Sequence, residues 1–142
     1  MALIVDAGAM YAQANAAEPR HDDVARILMA ERETIVTTEL VVAEADYLIL
    51  DRLGVDVELA FVDDLLAGTF VVDCLTRTEL ETARALVAQY RGLRIGLADA
   101  SLVVLAARYD SRRILSFDER AFRAVPPLGG GAFTILPADA AA

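Results

Sequence analysis

The stretch LIVDAGAM, residues 3–10, decides how this chain is to be read. Its three leading residues are apolar and read as a buried strand, but the run stops on Asp6 and passes into small residues. A carboxylate carried into a core is costly unless something satisfies it. Asp6 therefore marks the end of the strand, either as the cap of a following element or as a group with chemistry to do.

Outward from this point, strand-like and helix-like stretches alternate. ALIVD (2–6), TIVTT (34–38), TFVVD (69–73), RILSF (113–117) and FTIL (133–136) read as five strands, several rich in β-branched residues. Between them, apolar residues at helical spacing predict helices over 21–31, 39–53, 57–66, 77–90 and 97–109, with Gly54 and Gly68 closing two of them. LADASLVVLAARY (97–109) is apolar nearly all round, which predicts a deeply buried helix. The expectation is one domain over residues 1–142, a three-layer α/β/α fold with a central, mainly parallel five-stranded sheet and a frayed tail over 137–142. In such sheets ligands bind beyond the carboxyl ends of the strands, so acids at those ends are the ones to examine.

Composition narrows the chemistry. Twenty-two acids against thirteen bases give a net charge of −9, which argues against plain electrostatic adhesion to nucleic acid. All thirteen bases are arginine, so every mechanism built on a lysine nucleophile or a P-loop ammonium is excluded. His21 is the lone imidazole and no G-x-S-x-G elbow accompanies it, which disfavours a serine triad. The single Cys74 cannot close an internal disulfide, which fits a cytoplasmic setting, and no apolar run is long enough to cross a membrane. The apolar content of 56% leaves an apolar interface to spare.

Four acids stand out. Asp6 and Asp118 follow strands, and helix capping is the plain reading of either one alone. Glu44 lies at the margin of an apolar helical stripe, and Asp99 lies on a helix with almost no polar face. Converging carboxylates repel one another and raise each other's pKa unless a cation offsets them. Hard oxygen ligands suit Mg2+ or Mn2+, and one or two such ions can activate water against a phosphodiester. That chemistry needs neither His nor Lys.

IVDAGAMYA, TTELVVAEADYLI, RIGLADASLVVLAARY and RILSFDERAF, in this order and followed by PPLGGGAFTILP, resemble the PIN-domain ribonucleases of the VapC toxin family. The resemblance covers essentially the whole chain. It implies a PIN-like fold whose acidic site maps onto Asp6, Glu44, Asp99 and Asp118, holding Mg2+ or Mn2+ for RNA cleavage. It further implies a homodimer paired with a VapB-type antitoxin, and an RNA target in the sarcin–ricin loop of ribosomal RNA or in tRNA. One departure is visible: where many members carry Thr or Ser just after the first Asp, this chain has Ala7 and Gly8. The departure keeps open a catalytically weak PIN domain that acts mainly as a binding partner. Ser116 and Ser101, each two residues from a site acid, are candidate substitute hydroxyls.

Arg20, Arg91, Arg94, Arg112, Arg113, Arg120 and Arg123 are available for phosphate contacts, with Arg112, Arg113 and Arg120 singled out because they flank the strand leading to Asp118. His21 is expected in an exposed loop, Cys74 packed at a strand end, and Gly129–Gly131 in a turn. A haloacid-dehalogenase-type phosphatase would need an Asp at Gly8, a phospho-receiver would need a lysine, and a dinucleotide fold would need G-x-G-x-x-G after the first strand.

Overall fold

A computed structural model describes residues 1–140. The chain runs β1 (Leu3–Val5), α1 (Ala7–Ala14), α2 (His21–Ala30), β2 (Ile35–Thr38), α3 (Glu39–Leu53), α4 (Val55–Leu66), β3 (Val71–Asp73), α5 (Arg77–Gln89), α6 (Leu97–Arg108), β4 (Arg113–Leu115), α7 (Glu119–Ala124) and β5 (Thr134–Leu136). A short 3-10 turn, Arg91–Leu93, precedes α6.

The sheet has the order β3-β2-β1-β4-β5 with every neighbouring pair parallel. Each parallel step needs a crossover, and the helices supply it. The chain builds outward from β1 through β2 to β3, then returns to the other side of β1 for β4 and β5. The order reverses between β1 and β4, and a crevice opens beyond the carboxyl ends of two strands at such a reversal. Asp6 and Asp118 follow those two strands.

The hydrophobic pattern explains the layers. Leu3, Ile4 and Val5 are fully buried, as a central parallel strand covered on both faces requires. In α6 every residue from Ala100 to Ala106 is buried. Local signals set the helix ends. The Thr38 hydroxyl accepts the Val41 N–H, and Thr76 with Glu79 forms a capping box at α5. Gly54, at φ +89°, lets α3 turn directly into α4.

Two helices have no counterpart in the sequence reading. AGAMYAQA (α1) buries Ala7, Ala9, Met10 and Ala12 and shows no apolar–polar contrast, so periodicity gives no signal for it. The six-residue α7 is too short for a periodic signal. The tail also differs from expectation. Asp139 accepts the Ile135 N–H at 2.8 Å and pairs with Arg123 of α7 at 2.7 Å, so residues 137–140 form a fastened turn; residues 141–142 lie outside the described residues.

Candidate functional site

All four acids reach one cleft of about 410 Å³, together with Ala7, Gly8, Arg20, Leu48 and Phe117. Four different elements deliver them: Asp6 from the end of β1, Glu44 from the second turn of α3, Asp99 from the first turn of α6, and Asp118 from the loop after β4. None of them forms an ion pair with an arginine among the described residues.

Asp6 is 7% exposed and held at both oxygens. One accepts the Ala7 N–H at 2.7 Å, the other the Ser116 hydroxyl at 2.7 Å. The same Ser116 oxygen accepts the Asp118 N–H at 3.0 Å, so one hydroxyl ties the two strand ends together. Asp118 in turn accepts the Ala121 N–H at 3.1 Å and caps α7. Capping and membership of the acid cluster are thus both true of Asp6 and Asp118.

The electrostatics are those of an anionic cluster without an ion-paired cation. Burial pushes the Asp6 carboxyl above its ordinary value, and its two hydrogen bonds pull back, while the Asp118 charge adds to the rise. Glu44 is raised by burial and by the Asp6 charge. Asp99 is pushed up to about 7, first by burial and then by the charges of Asp6, Asp118 and Glu44, with Arg120 opposing weakly. A brace sets where Asp99 sits: Ser101 in the next turn donates to the Ala98 carbonyl at 2.6 Å and meets the Thr38 hydroxyl at 2.8 Å, joining α6 to the start of α3.

Comparison with known proteins now has a geometry to rest on. The family model of the PIN domain matches residues 3–127. The chain belongs to the PIN-domain family. A Mycobacterium tuberculosis protein, ribonuclease VapC26, is 43% identical over 135 residues, covering 95% of this chain and 100% of its own. This PIN domain is therefore of the VapC type. Among solved structures, Mycobacterium tuberculosis VapC20, described as a sarcin–ricin loop cleaving toxin, superposes with a TM-score of 0.79 at 20% identity over 86% of this chain and 94% of its own. VapBC2 from Rickettsia felis, bound to a DNA fragment from its promoter, gives 0.66 at 16% identity, over 90% and 96% of the two chains. At these identities the two structures establish the shared fold.

The arginines of this PIN domain fall out differently from the sequence reading. Arg113 opens β4, at the opposite sheet edge from Asp118, and pairs with Glu31 at 2.6 Å. Arg112 precedes it, with its guanidinium laid against Gly131, whose φ of +82° and lack of a side chain permit the approach. Neither reaches the acid cleft. Arg120 does lie near Asp99 and donates to the Leu93 carbonyl at 3.0 Å. Arg20, which the sequence did not separate from the other arginines, is the cation lining the cleft among the described residues. Of the two candidate serines, Ser116 holds Asp6 and Ser101 is turned away into its brace. His21 starts α2 rather than lying in a loop, its ring nitrogen 2.8 Å from the Ala12 carbonyl, and Cys74 follows β3 but is exposed.

Proposed function

We propose that this PIN domain is the toxin of a type II toxin–antitoxin pair, an endoribonuclease that hydrolyses RNA phosphodiesters with Mg2+ or Mn2+. The observation that carries this reading is the convergence of four carboxylates from four elements on one cleft with no arginine paired to any of them. Such a cluster suits a hard divalent cation. Among the described residues, no three His, Cys, Asp or Glu side chains stand close enough to hold one ion together. The reading therefore requires an ion held by one or two of these carboxylates at a time, with water filling its other positions, as Mg2+ commonly is.

Asp6, Glu44, Asp99 and Asp118 would hold the cation, directly or through water. When bound, it supplies Lewis-acid activation of water and charge stabilisation at the phosphate. The chain's own contribution is positional. Ser116 and the Ala7 N–H hold both oxygens of Asp6, the α7 cap holds the carboxylate of Asp118, and Ser116 holds its backbone N–H. Without a cation, burial and the neighbouring carboxylates push the Asp99 carboxyl up to about 7, and a bound cation would favour its charged form. Ser116, just after β4, brings a hydroxyl to Asp6, which supports it as the substitute for the one missing at Ala7 and Gly8.

The surface supports a protein partner. The outer side of α4 carries a second apolar stripe, Val55, Leu59, Val62 and Leu66, and α3 adds Tyr47 and Leu50. Exposed apolar surface of this extent supports a protein interface, here a VapB-type antitoxin and a second copy of the chain. No described helix is long and apolar enough to cross a membrane. A toxin that cuts ribosomal RNA or tRNA would act in the cytoplasm. Ribosomal RNA, as in the activity that VapC20 is described by, or tRNA is the substrate class.

Incubation of total RNA with Mg2+ or Mn2+ tests the proposal. Cleavage is expected from wild type, none with EDTA, and none from Asp6→Asn. Equal cutting by wild type and Asp6→Asn would place the chemistry elsewhere, and tight binding of a small partner without any cutting would favour a binding module. A second result concerns Ser116→Ala, which removes a bond to a buried carboxylate while leaving the cluster intact. Loss of such a supporting partner typically costs 10–100-fold in metal affinity. Mn2+ titration of Ser116→Ala should fall in that range, with the fold retained by circular dichroism; unchanged affinity would show that Asp6 is positioned without it.

A further inference from the structure

Arg20 and Phe117 form a flat pair at the rim of the acid cleft. The guanidinium carbon of Arg20 lies 3.7 Å from the Phe117 ring centroid, and both residues line the cleft with the four acids. Arg20 is exposed and Phe117 half-buried. The pair is held from both sides. Arg20 ends the loop between α1 and α2, where Asn15 accepts the N–H groups of Ala17 at 3.1 Å and Glu18 at 3.0 Å, and Glu18 binds the Arg20 Nε at 3.0 Å. Phe117 sits between Ser116 and Asp118, both already fixed by hydrogen bonds.

The ring lies beside Gly8: a Cβ there would meet Phe117 Cδ2 at 3.5 Å, an ordinary contact, so the aromatic face stands directly next to the segment that follows Asp6.

A cationic plane backed by an aromatic ring has one use that suits a cleft otherwise lined by carboxylates. RNA is read largely through unpaired bases splayed out and stacked on aromatic rings or arginine planes, at roughly 1–3 kcal/mol per base. With its Nε committed to Glu18 and one face on Phe117, the Arg20 guanidinium has its other face turned away from the ring. We infer that Arg20 and Phe117 form a stacking platform for one unpaired nucleotide next to the scissile phosphate, so that the site takes single-stranded or looped RNA and is positioned by a base rather than by charge alone. This inference rests on the ribonuclease reading. In it, Arg20 and Phe117 are positioning residues, and the acids do the chemistry.

The test separates plane from charge. Single-stranded RNAs of about ten nucleotides, intact or with one abasic position moved along the chain, are titrated by fluorescence anisotropy against Asp99→Asn protein in Mg2+. One abasic position should weaken binding about tenfold. Adding Arg20→Lys, which keeps the charge and loses the plane, or Phe117→Leu should weaken binding of intact RNA by a similar factor and abolish the abasic penalty; Phe117→Tyr should restore both. In the otherwise wild-type enzyme the same changes should raise KM more than they lower kcat. The platform is refuted if Arg20→Lys binds intact RNA as well as its parent, or if the abasic penalty survives Arg20→Lys and Phe117→Leu. If the protein neither binds nor cuts any RNA, the ribonuclease reading itself fails and the platform goes with it, an outcome distinct from RNA binding that ignores the two residues.

Discussion

Asp99→Asn is expected to lower RNA cleavage by more than about a hundredfold while making the metal-free protein more stable at pH 8. The two effects have one cause. Asp99 is pushed from an ordinary value of 3.8 up to about 7, by burial and by three neighbouring carboxylates. A raised folded-state pKa means that the native protein holds this proton more tightly than the unfolded chain does. Stability from this group is therefore greatest at low pH and is lost as pH rises from about 4 through about 7. At pH 8 the full penalty of the charge is present, and Asn removes it. After allowance for solvent screening the gain is about 2 kcal/mol, or roughly 6 °C in melting temperature. Melting curves in EDTA at pH 5 and pH 8 check it: the variant should gain most at pH 8 and less than half as much at pH 5. With excess Mg2+ the wild type should recover, because a ligand that binds only the native state stabilises it. Wild type and Asp99→Asn melting together at pH 8 in EDTA would mean that the acids do not repel one another, and the cluster would lose its electrostatic argument.

This trade also explains which acids the sequence could reveal. Asp6 and Asp118 were legible because parallel strands end at one sheet edge, and Asp99 because α6 has no polar face to put it on. Asp73 shows where that logic stops. It too ends a strand, yet Tyr109 donates to it at 2.5 Å and Arg108 lies 3.4 Å away, so its charge is answered locally. Arg108 also binds Glu79 and the Cys74 carbonyl, and no spacing rule shows that an arginine at the end of one helix will reach an acid after an edge strand. The positions of the arginines have a related reason. Arg112 and Arg113 are close in sequence to Asp118, but a three-residue strand at about 3.3 Å per residue carries them to the far edge of the sheet. Arg20 reaches the cleft through a loop whose course depends on α1, a helix that periodicity could not see. The core strands were legible because burial on both faces leaves a continuous apolar run; the two missed helices lacked either contrast or length.

Phe122→Ala is expected to be the most destabilising change of a single side chain at the cleft's supporting layer, and it should disable the site from a distance. Phe122 is 2% exposed and meets Phe133 edge to face, with ring centroids 6.0 Å apart and planes at 85°. Removing a buried Phe leaves a cavity that typically costs 3–5 kcal/mol, and for a chain of this size that is roughly a 10–15 °C fall in melting temperature. Phe122 is also what holds α7 against the core, and α7 is the helix that Asp118 caps. The backbone N–H of Asp118 reaches Ser116, and Ser116 reaches Asp6, so loosening α7 should propagate to two acids through one hydroxyl. Phe122→Leu keeps most of the volume, should cost about 1.5 kcal/mol or less, and should leave cleavage close to wild type. Cleavage and melting measured side by side for the two variants decide the matter. If Phe122→Ala melts within about 3 °C of wild type, the site does not depend on α7 packing. If it melts far lower but cuts normally at temperatures where it is still folded, Asp118 is held by its own cap and the route through Ser116 carries no load.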